Sequence, residues 1–395
     1  MLKLSQSNLH TLEMISFLIL LLAKTIVADC ECGYTANVNS SDVTAPTTWL
    51  FTDILESDFF HIDNITLDTD WYAQNYSMTP EAAQGPYGIN YTLSQVVINH
   101  ISDPRNWTGP GELGGDPGLR LTVEAGTPKD GYVKTGQVNS ARTDMIWGTY
   151  RASMKLTPIN GTCAAFFWYF DDSQEIDMEF LSDQFNFEND TFPVNLVLQA
   201  DKSKKTGFNS ADTGNYRRVN LPFNPTNAYH KYRIDYLPGS IVFYADTEVL
   251  TRFDASTTPF SPGHLILTHW SNGNILWSAG PPIENATLSV GYVKGYFNSS
   301  LPKRQEDWKL RCKDPSAKGA VCIIPDQNTA PDPTVMTAPD SNLTSAQGNF
   351  FSNNENQTVN QTVYHKSTAQ RDIHGGFTVL GTVGIAVVVF VFLFQ

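Results

Sequence analysis

The sequence has few basic residues. Lys and Arg together number 26 in a chain of 395 residues, against 40 Asp and Glu, so the formal net charge is −14 and the sequence pI is near 4.9. Proteins bind nucleic acid largely by neutralising phosphates with Lys and Arg. This charge balance therefore argues against nucleic acid as a partner, and it is compatible with an uncharged ligand.

Cysteine is also scarce, with 5 residues. Cys30 and Cys32 form a Cys-x-Cys motif, but no second cluster has metal-ligand spacing, so neither a metal nor a cofactor is expected. In an oxidising compartment, five cysteines favour two disulfides and one leftover thiol. Cys312 and Cys322 are the expected local pair. Because Cys30 and Cys32 are too close to bridge each other, one of them is expected to reach Cys163.

Long apolar runs are missing except at the two ends of the chain. At the amino terminus, Lys3 precedes the mostly apolar run Met14–Val27, which ends beside the small residue Ala28. This pattern is typical of a secretory signal peptide over residues 1–28, with mature protein beginning near Asp29. A retained membrane anchor is the weaker alternative because the run is short.

The carboxyl-terminal run covers residues 377–395 and has no basic residue beyond it. A spanning helix usually carries Lys or Arg on its cytosolic side. The small residues Ser367, Thr368 and Ala369 and a short polar spacer precede the run, which favours a glycolipid-anchor signal that is removed. A retained transmembrane helix is the alternative. Either one predicts a secreted protein held at the cell surface or cell wall by a C-terminal membrane anchor.

Two segments before that tail have a distinct composition. Residues 326–376 are rich in Asn, Thr, Ser, Pro and Gln and poor in large apolar residues, which predicts a disordered stalk. Twelve Asn-x-Ser/Thr sequons between Asn39 and Asn360 predict a glycoprotein if the chain is secreted. Residues 301–325, closed by the expected disulfide, form a small appendix with no function readable from sequence.

The remaining residues, 29–300, contain no long amphipathic helix pattern. They contain many short runs of β-forming residues, separated by turn signals about every ten residues, which predicts an all-β sandwich. A monomer is expected. The predicted strands cover residues 93–101, 119–124, 133–138, 145–156, 164–170, 175–180, 193–200, 230–236, 240–246, 249–254, 263–270 and 286–297.

The most informative stretch is residues 161–183, GTCAAFFWYFDDSQEIDMEFLSD. A buried aromatic strand and a turn precede Glu175, Asp177 and Glu179, which alternate with three apolar residues. Successive strand side chains point to opposite faces, so the three acids share one face. A solvated strand face is the plain explanation for such a pattern, but the aromatic strand beside it argues for a buried position.

Three acids on one face repel each other, which should raise some of their pKa values. Cleavage of a glycosidic bond needs one ionised and one protonated carboxyl group, about 5 Å apart in retaining enzymes. The Cα atoms of Glu175 and Glu179 would be about 13 Å apart on a straight strand. A shared site therefore requires a concave sheet.

The segment EIDMEF resembles the signature of glycoside hydrolase family 16, in the lichenase-like branch with Glu-x-Asp-x-Glu. GQVNSARTDMIWGTYRASMKL, VNLVLQ, HKYRIDYLPGSIVFYAD and LTHWSNGN match in the family's order, so the resemblance covers residues 48–297. It implies a concanavalin-type jelly roll with a concave substrate cleft. It also implies that Glu175 is the nucleophile, Asp177 the assisting acid and Glu179 the general acid/base.

The resemblance also suggests substrate-binding residues. Trp270 matches a family tryptophan that lines the cleft, and Phe167 and Tyr169 should face the cleft together. Asn195 and Gln199 share one face of their strand and can bind sugar hydroxyls, although two exposed polar residues would give the same pattern. His269 and Trp277 remain undecided, Trp277 either covering a subsite or capping the core.

Two functions are compatible with these patterns. The first is a retaining, endo-acting glycoside hydrolase or transglycosylase on β-linked cell-wall glucan, of β-1,3 or β-1,3/1,4 type, in a fungal surface protein. The second is a carbohydrate-binding or structural wall protein that uses the same fold without turnover. The intact set of three acids favours the enzyme.

Overall fold

The computed structural model of the protein describes residues 30–37, 48–68, 70–103, 109–205, 210–254 and 258–324. The predicted signal peptide, stalk and C-terminal tail lie outside these ranges. Within these ranges, every helix is too short or too polar to cross a membrane.

A nine-stranded sheet, called here the site sheet, contains the acidic strand near its middle. Neighbouring strands in this sheet pair antiparallel, except for Gly88–Tyr91 and Tyr132–Ser140, which run parallel to each other. The strands in order across the sheet are β14 (Tyr216–Asn220), β13 (Pro193–Ala200), β12 (Gln174–Leu181), β11 (Cys163–Asp171), β18 (His264–Trp270), β9 (Tyr132–Ser140), β6 (Gly88–Tyr91) and β5 (Tyr76–Met78), with β4 (Trp71–Ala73) also paired to β9.

A second, eight-stranded sheet packs against one face of the site sheet. Its longest strands, Met145–Lys155 and Ala286–Ser299, pair along most of their length, with one register shift at Trp147 in the first and one at Gly291 in the second. The strands in order are β17 (Glu248–Asp254), β16 (Ser240–Ala245), β15 (His230–Leu237), β10 (Met145–Lys155), β19 (Ala286–Ser299), β8 (Gly118–Val123) and β7 (Val96–Asn99), with β3 (Asp53–Asp58) paired to β19.

The hydrophobic core lies between these two sheets. Strand β12 contributes Ile176, Met178 and Phe180, the apolar residues that alternate with the acids. Phe180 packs edge-on against Tyr232 of the second sheet, with ring centroids 4.8 Å apart. Alternation thus places the apolar half of β12 in the core, and the all-β jelly-roll sandwich predicted from sequence is confirmed.

Helices are short and peripheral in the described ranges. One predicted strand, residues 93–101, begins instead with a 3₁₀ turn, and only its centre is a strand. The α-helices are α1 (Pro80–Ala83), α2 (Asp201–Lys205) and α3 (Pro302–Arg311), and the 3₁₀ turns are Ile65–Leu67, Leu93–Gln95, Ser182–Gln184 and Ala211–Thr213.

A small third sheet joins the two ends of the described chain. Strand β1 (Gly33–Asn37) lies between β2 (Thr48–Phe51), which is antiparallel to it, and β20 (Val321–Ile323), which is parallel to it. Because β20 follows α3, the residues predicted as a separate appendix pack directly on the amino-terminal strand.

Two disulfides fix this third sheet, and they correct the pairing expected from sequence. Cys30 bonds Cys322 and Cys32 bonds Cys312, while Cys163 is a buried free cysteine. The expected Cys312–Cys322 pair and the expected bridge to Cys163 are both wrong. The pairing follows from the parallel contact of β1 with β20, which brings together residues separated by 280 positions or more.

We predict that the two disulfides stabilise the fold non-additively. Either one alone already closes the long loop of 280 or 292 residues. Removing one opens only a short loop of about 12 residues, worth about 3 kcal/mol by chain entropy, whereas removing both also opens the long loop, worth about 5–6 kcal/mol more.

Urea unfolding of Cys32→Ser/Cys312→Ser, of Cys30→Ser/Cys322→Ser and of the fourfold variant measures these losses. The loss in free energy of unfolding for the variant that lacks both disulfides should exceed the sum of the losses for the two variants that each lack one. Simple additivity would contradict the shared-loop explanation.

Candidate active site

The strand β12 places its three acids on the outer face of the site sheet. Glu175, Asp177 and Glu179 alternate with the core residues and are 5%, 2% and 0% exposed. They are therefore not a solvated strand face, which was the plain reading of the sequence. Burying three carboxyl groups together is energetically costly, and an arrangement of this kind is typical of a functional site.

Burial and mutual repulsion raise the pKa of each acid. For Glu175, burial has the largest effect on the pKa, followed by the charge of Asp177. For Asp177, burial and then the charge of Glu179 raise the pKa. For Glu179, burial and then the charge of Glu175 raise it. The predicted upward shift is confirmed in direction, although burial contributes more than repulsion.

The three acids differ in their nearest neighbours. The interaction of Glu175 with Asp177 raises the pKa of Glu175 and lowers that of Asp177. Glu179 Oε1 instead accepts a hydrogen bond from the Cys163 thiol, and the thiol and the nearby Trp277 indole both lower the pKa of Glu179. One end of the acidic strand therefore holds two neighbouring carboxyl groups, and the other end holds a carboxyl group between a thiol and an indole.

Cys163 lies beside Glu179, with Sγ 3.6 Å from Oε1. Burial, followed by the charge of Glu179, raises the pKa of the thiol well above its usual range, so Cys163 stays protonated and can donate. The sequence pattern assigned this residue to a disulfide. Cys163 is separated from Ala165 and Phe167 by two and four positions on β11, so strand alternation places all three on the acids' face.

All five predicted sugar-contact residues lie on the same face as the acids. Strand register shows this, because paired residues on adjacent strands point the same way. The pairs on this face are Glu175 with Tyr169 and Gln199, Asp177 with Phe167 and Val197, Glu179 with Ala165 and Asn195, and Cys163 with Trp270.

The three aromatic candidates among them are buried. Phe167 and Trp270 are 0% and 1% exposed, and Tyr169 is 4% exposed. They form one cluster with Trp277 and with residues of β5, β6 and α1, which cover this part of the face. Tyr169 also donates a 2.9 Å hydrogen bond to Asp172 Oδ1 in the hairpin turn.

The two amide candidates make hydrogen bonds within the protein. Asn195 Nδ2 donates to Gln184 Oε1 at 3.1 Å and to the carbonyl of Glu179 at 3.4 Å. Its Oδ1 accepts a 2.8 Å hydrogen bond from the Tyr216 hydroxyl. Gln199 Oε1 accepts from Ser210 Oγ at 3.1 Å. Asn195 therefore fixes the backbone at Glu179.

The structure places His269 and Trp277, which the sequence left undecided, on opposite faces of the site sheet. His269 points into the protein, where its ring nitrogens contact Leu121 O and Thr162 Oγ1, each at 2.9 Å, and burial lowers its pKa to about 4. Trp277 is 3% exposed and packs in the cluster on the acids' face, where it lowers the pKa of Glu179.

Sequence reasoning missed His264 and Tyr216 on this face. His264 pairs with Tyr169 and contacts its ring, with centroids 5.7 Å apart, and burial lowers the pKa of His264 to about 4. Tyr216 pairs with Val197. His264 is six positions from Trp270 on the same strand, so alternation in the sequence could have placed both on one face. Tyr216 is placed on this face only by the pairing of β14 with β13.

In the described ranges, no group of three or more His, Cys, Asp and Glu side chains is placed to hold a metal ion. The chemistry that the described site can perform is that of its carboxyl groups. One carboxyl group can act as a nucleophile when it is ionised, and one can act as a proton donor and acceptor, for which a raised pKa favours the protonated form.

Comparison with protein families gives a match over residues 106–287 to the family described as Glycosyl hydrolases family 16. The matched range contains all the candidate site residues. The chain therefore agrees with that family in the segment that carries the acids.

Curated relatives include three beta-glucanase or Crh-like proteins. The beta-glucanase of Paenibacillus polymyxa is 26% identical over 161 residues, 40% of this chain and 60% of that protein. The beta-glucanase of Bacillus licheniformis is 28% identical over 187 residues, 45% of this chain and 69% of that protein. The Crh-like protein CRH12 of Candida albicans is 28% identical over 176 residues, 42% of this chain and 31% of that protein. The chain thus spans less than two thirds of the first and third of these relatives.

The solved structure of the Bacillus licheniformis beta-glucanase aligns with a TM-score of 0.44 and 19% identity. The alignment covers 62% of this chain and 98% of that one.

We predict that Glu179→Gln stabilises the protein in a pH-dependent way. The raised pKa means that folded Glu179 holds its proton more tightly than unfolded Glu179, whose pKa is about 4.3. Between these two pKa values the folded state binds more protons, so the wild-type free energy of unfolding falls as pH rises. The amide side chain in Glu179→Gln does not titrate, so the variant does not lose this part of its free energy of unfolding as pH rises.

Melting temperatures from pH 3 to pH 8 measure the effect. The variant should match wild type near pH 3 and melt higher at pH 8, by about 2–4 °C for each kcal/mol gained. Glu188→Gln, a substitution at an exposed position, serves as the control, and its melting temperature should follow that of wild type. A stability difference that is constant with pH would show that Glu179 does not titrate as described.

Proposed function

We propose that this chain is a member of glycosyl hydrolase family 16, whose model matches residues 106–287, and that it is a retaining, endo-acting glycoside hydrolase or transglycosylase acting on β-linked cell-wall glucan. The linkage type proposed is β-1,3 or mixed β-1,3/1,4. The observation that carries this proposal is the set of three buried acids on one face of β12, with pKa values raised by burial and by each other. The beta-glucanase relatives support the choice of substrate.

In the first step, a carboxylate oxygen of Glu175 attacks the anomeric carbon and forms a glycosyl ester. Glu179 gives its proton to the departing glycosidic oxygen, so the bond between sugar and leaving group breaks without releasing an alkoxide. Glu175 must be ionised for this attack, and Asp177, the neighbouring acid on the same strand face, contributes to the charge environment that controls its ionisation.

In the second step, Glu179 removes a proton from water or from an acceptor hydroxyl. The resulting oxygen attacks the anomeric carbon, the ester bond to Glu175 breaks, and Glu179 is again protonated. The donors Cys163 and Trp277 support this exchange because they stabilise the ionised form of Glu179. Hydrolysis and transglycosylation differ only in which hydroxyl is used.

We predict loss of turnover and net retention of anomeric configuration. The secreted portion, residues 29–367, is assayed on a panel of β-glucans with labelled oligosaccharide acceptors. Glu175→Gln and Glu179→Gln should each lower kcat by about a thousandfold or more, with Asp177→Asn less affected, because the first two remove groups used in bond making.

Proton magnetic resonance of the first products, before mutarotation, should show the β anomer. Glu188→Gln is the matched control and should keep wild-type activity. An initial α anomer, or near wild-type activity in either Glu variant, would reject the two-step mechanism. Glucan binding without turnover in the wild-type protein would favour a carbohydrate-binding role.

We propose further that the protein is attached to the cell surface by a glycolipid. This rests on the apolar run at residues 377–395 and on the small residues before it. The surface of a fungal wall is the setting proposed, in agreement with the Candida relative.

Deleting residues 377–395 should release soluble, active protein into the medium. A phospholipase specific for inositol glycolipids should shed the full-length form from cells. If the protein stays on lipase-treated cells and mass spectrometry still detects the tail, the anchor is a transmembrane helix.

A further inference from the structure

The strand β14 extends the acids' face to one edge of the site sheet. Its register with β13 pairs Tyr216 with Val197 and Arg218 with Asn195. Since Val197 and Asn195 pair in turn with Asp177 and Glu179, Tyr216 and Arg218 point to the same side of the sheet as the acids.

The contacts of β14 agree with this assignment. The Tyr216 hydroxyl donates to Asn195 Oδ1 at 2.8 Å, and its ring packs against the aromatic cluster on the acids' face. Val219, one position beyond Arg218, packs instead against the core between the two sheets. The strand therefore alternates between cleft and core as an ordinary β-strand does.

Tyr216 and Arg218 also share an electrostatic environment with Glu179. Burial raises the pKa of the Tyr216 hydroxyl, the positive charge of Arg218 lowers it, and the charge of Glu179 raises it. A continuous set of groups thus runs across three strands, from Glu179 through Asn195 and Tyr216 to Arg218.

The accessibility of these side chains increases along that set. Glu179 and Asn195 are buried, Tyr216 is half-buried and Arg218 is exposed. A half-exposed ring can lie against the apolar face of a sugar, and a guanidinium carries five donors in a planar fork for its hydroxyls. Sites for small ligands typically combine such an apolar wall with a few polar groups.

Spacing relates this position to the acids. Adjacent strands lie about 4.8 Å apart, so β14 is about 10 Å from β12. One residue of a β-linked glucan is about as long as one strand spacing. A glucan chain that crosses the strands at the acids therefore reaches β14 with the second sugar from the cleaved bond.

We propose that Tyr216 and Arg218 form a subsite that binds the second sugar residue from the cleaved bond, by contact with the Tyr216 ring and hydrogen bonds from Arg218. The inference rests on the proposed glucan-cleaving function. It assigns length-dependent substrate binding to an edge strand that takes no part in the bond-making steps.

The neighbouring residue Arg217 offers a matched control. It has the same charge and is also exposed, but its guanidinium carbon lies 5.5 Å from the centre of the Phe253 ring, in the second sheet. A substitution at Arg217 changes net charge as one at Arg218 does, without altering the acids' face.

The test compares Arg218→Met, Tyr216→Ala, Tyr216→Phe and Arg217→Met on a ladder of β-glucan oligosaccharides. Arg218→Met and Tyr216→Ala should raise KM about tenfold or more on substrates long enough to reach the subsite. For Arg218→Met kcat should be unchanged, because uniform binding is lost, and substrates too short to reach the subsite should be cleaved at the wild-type rate. Tyr216→Phe should keep most binding, and Arg217→Met should match wild type.

Equal losses at every substrate length, or equal losses for Arg217→Met and Arg218→Met, would overturn the proposal. Direct binding separates it from the proposed function. In the Glu175→Gln background, calorimetry with long and short β-glucan oligosaccharides should show the same length-dependent loss for Arg218→Met. If the wild-type protein binds these oligosaccharides without cleaving them, the catalytic proposal fails while the subsite remains testable. Unchanged affinity in Arg218→Met at every length would reject the subsite alone.

Discussion

The structure depends on burying three carboxyl groups on one face of a strand whose other face is hydrophobic core. Isolated burial of ionised carboxylates is strongly unfavourable, and three of them in sequence repel each other. The strand is nevertheless held in place because Ile176, Met178 and Phe180 pack between two large sheets. Pairing with β11 and β13 on both sides leaves β12 no freedom to rotate or slip, since a one-residue slip would put the acids in the core.

This constraint has a chemical consequence for the proposed reaction. Groups that resist ionisation at neutral pH can hold a proton for transfer, and the same groups reduce the stability of the fold. The buried carboxyl groups at the two ends of the acidic strand have different neighbours. Glu175 has Asp177 as its neighbouring charge, whereas Glu179 lies against the thiol of Cys163 and the indole of Trp277. The two glutamates therefore have different surroundings, while the roles proposed for them rest on family resemblance.

The rest of the fold positions and extends this site. The aromatic cluster of β5, β6 and β11 covers one part of the acids' face, while β13 and β14 continue it in the other direction with progressively more exposed polar groups. The third sheet, with its two disulfides, ties the first and last described strands together at a distance from the acids. The site proposed for catalysis, the strand proposed for length-dependent binding and the disulfide-linked sheet are therefore separate parts of the molecule.

The sequence by itself determined the elements that depend on local alternation. The period-2 pattern of Glu175, Asp177 and Glu179 predicted the strand, the shared face and the upward pKa shifts, because side-chain direction on a strand is set by neighbouring residues alone. The same pattern in the other strands predicted the all-β sandwich. The roles of individual site residues rest on family resemblance and remain predictions.

Only the tertiary structure decided which distant residues meet. The parallel pairing of β1 with β20 fixed the disulfides and left Cys163 as a thiol beside Glu179, against the expectation from cysteine spacing. The pairing of β14 with β13 placed Tyr216 and Arg218 beside Asn195. These contacts depend on strand order and register between segments far apart in sequence, which are set by how the whole core packs and not by any local pattern.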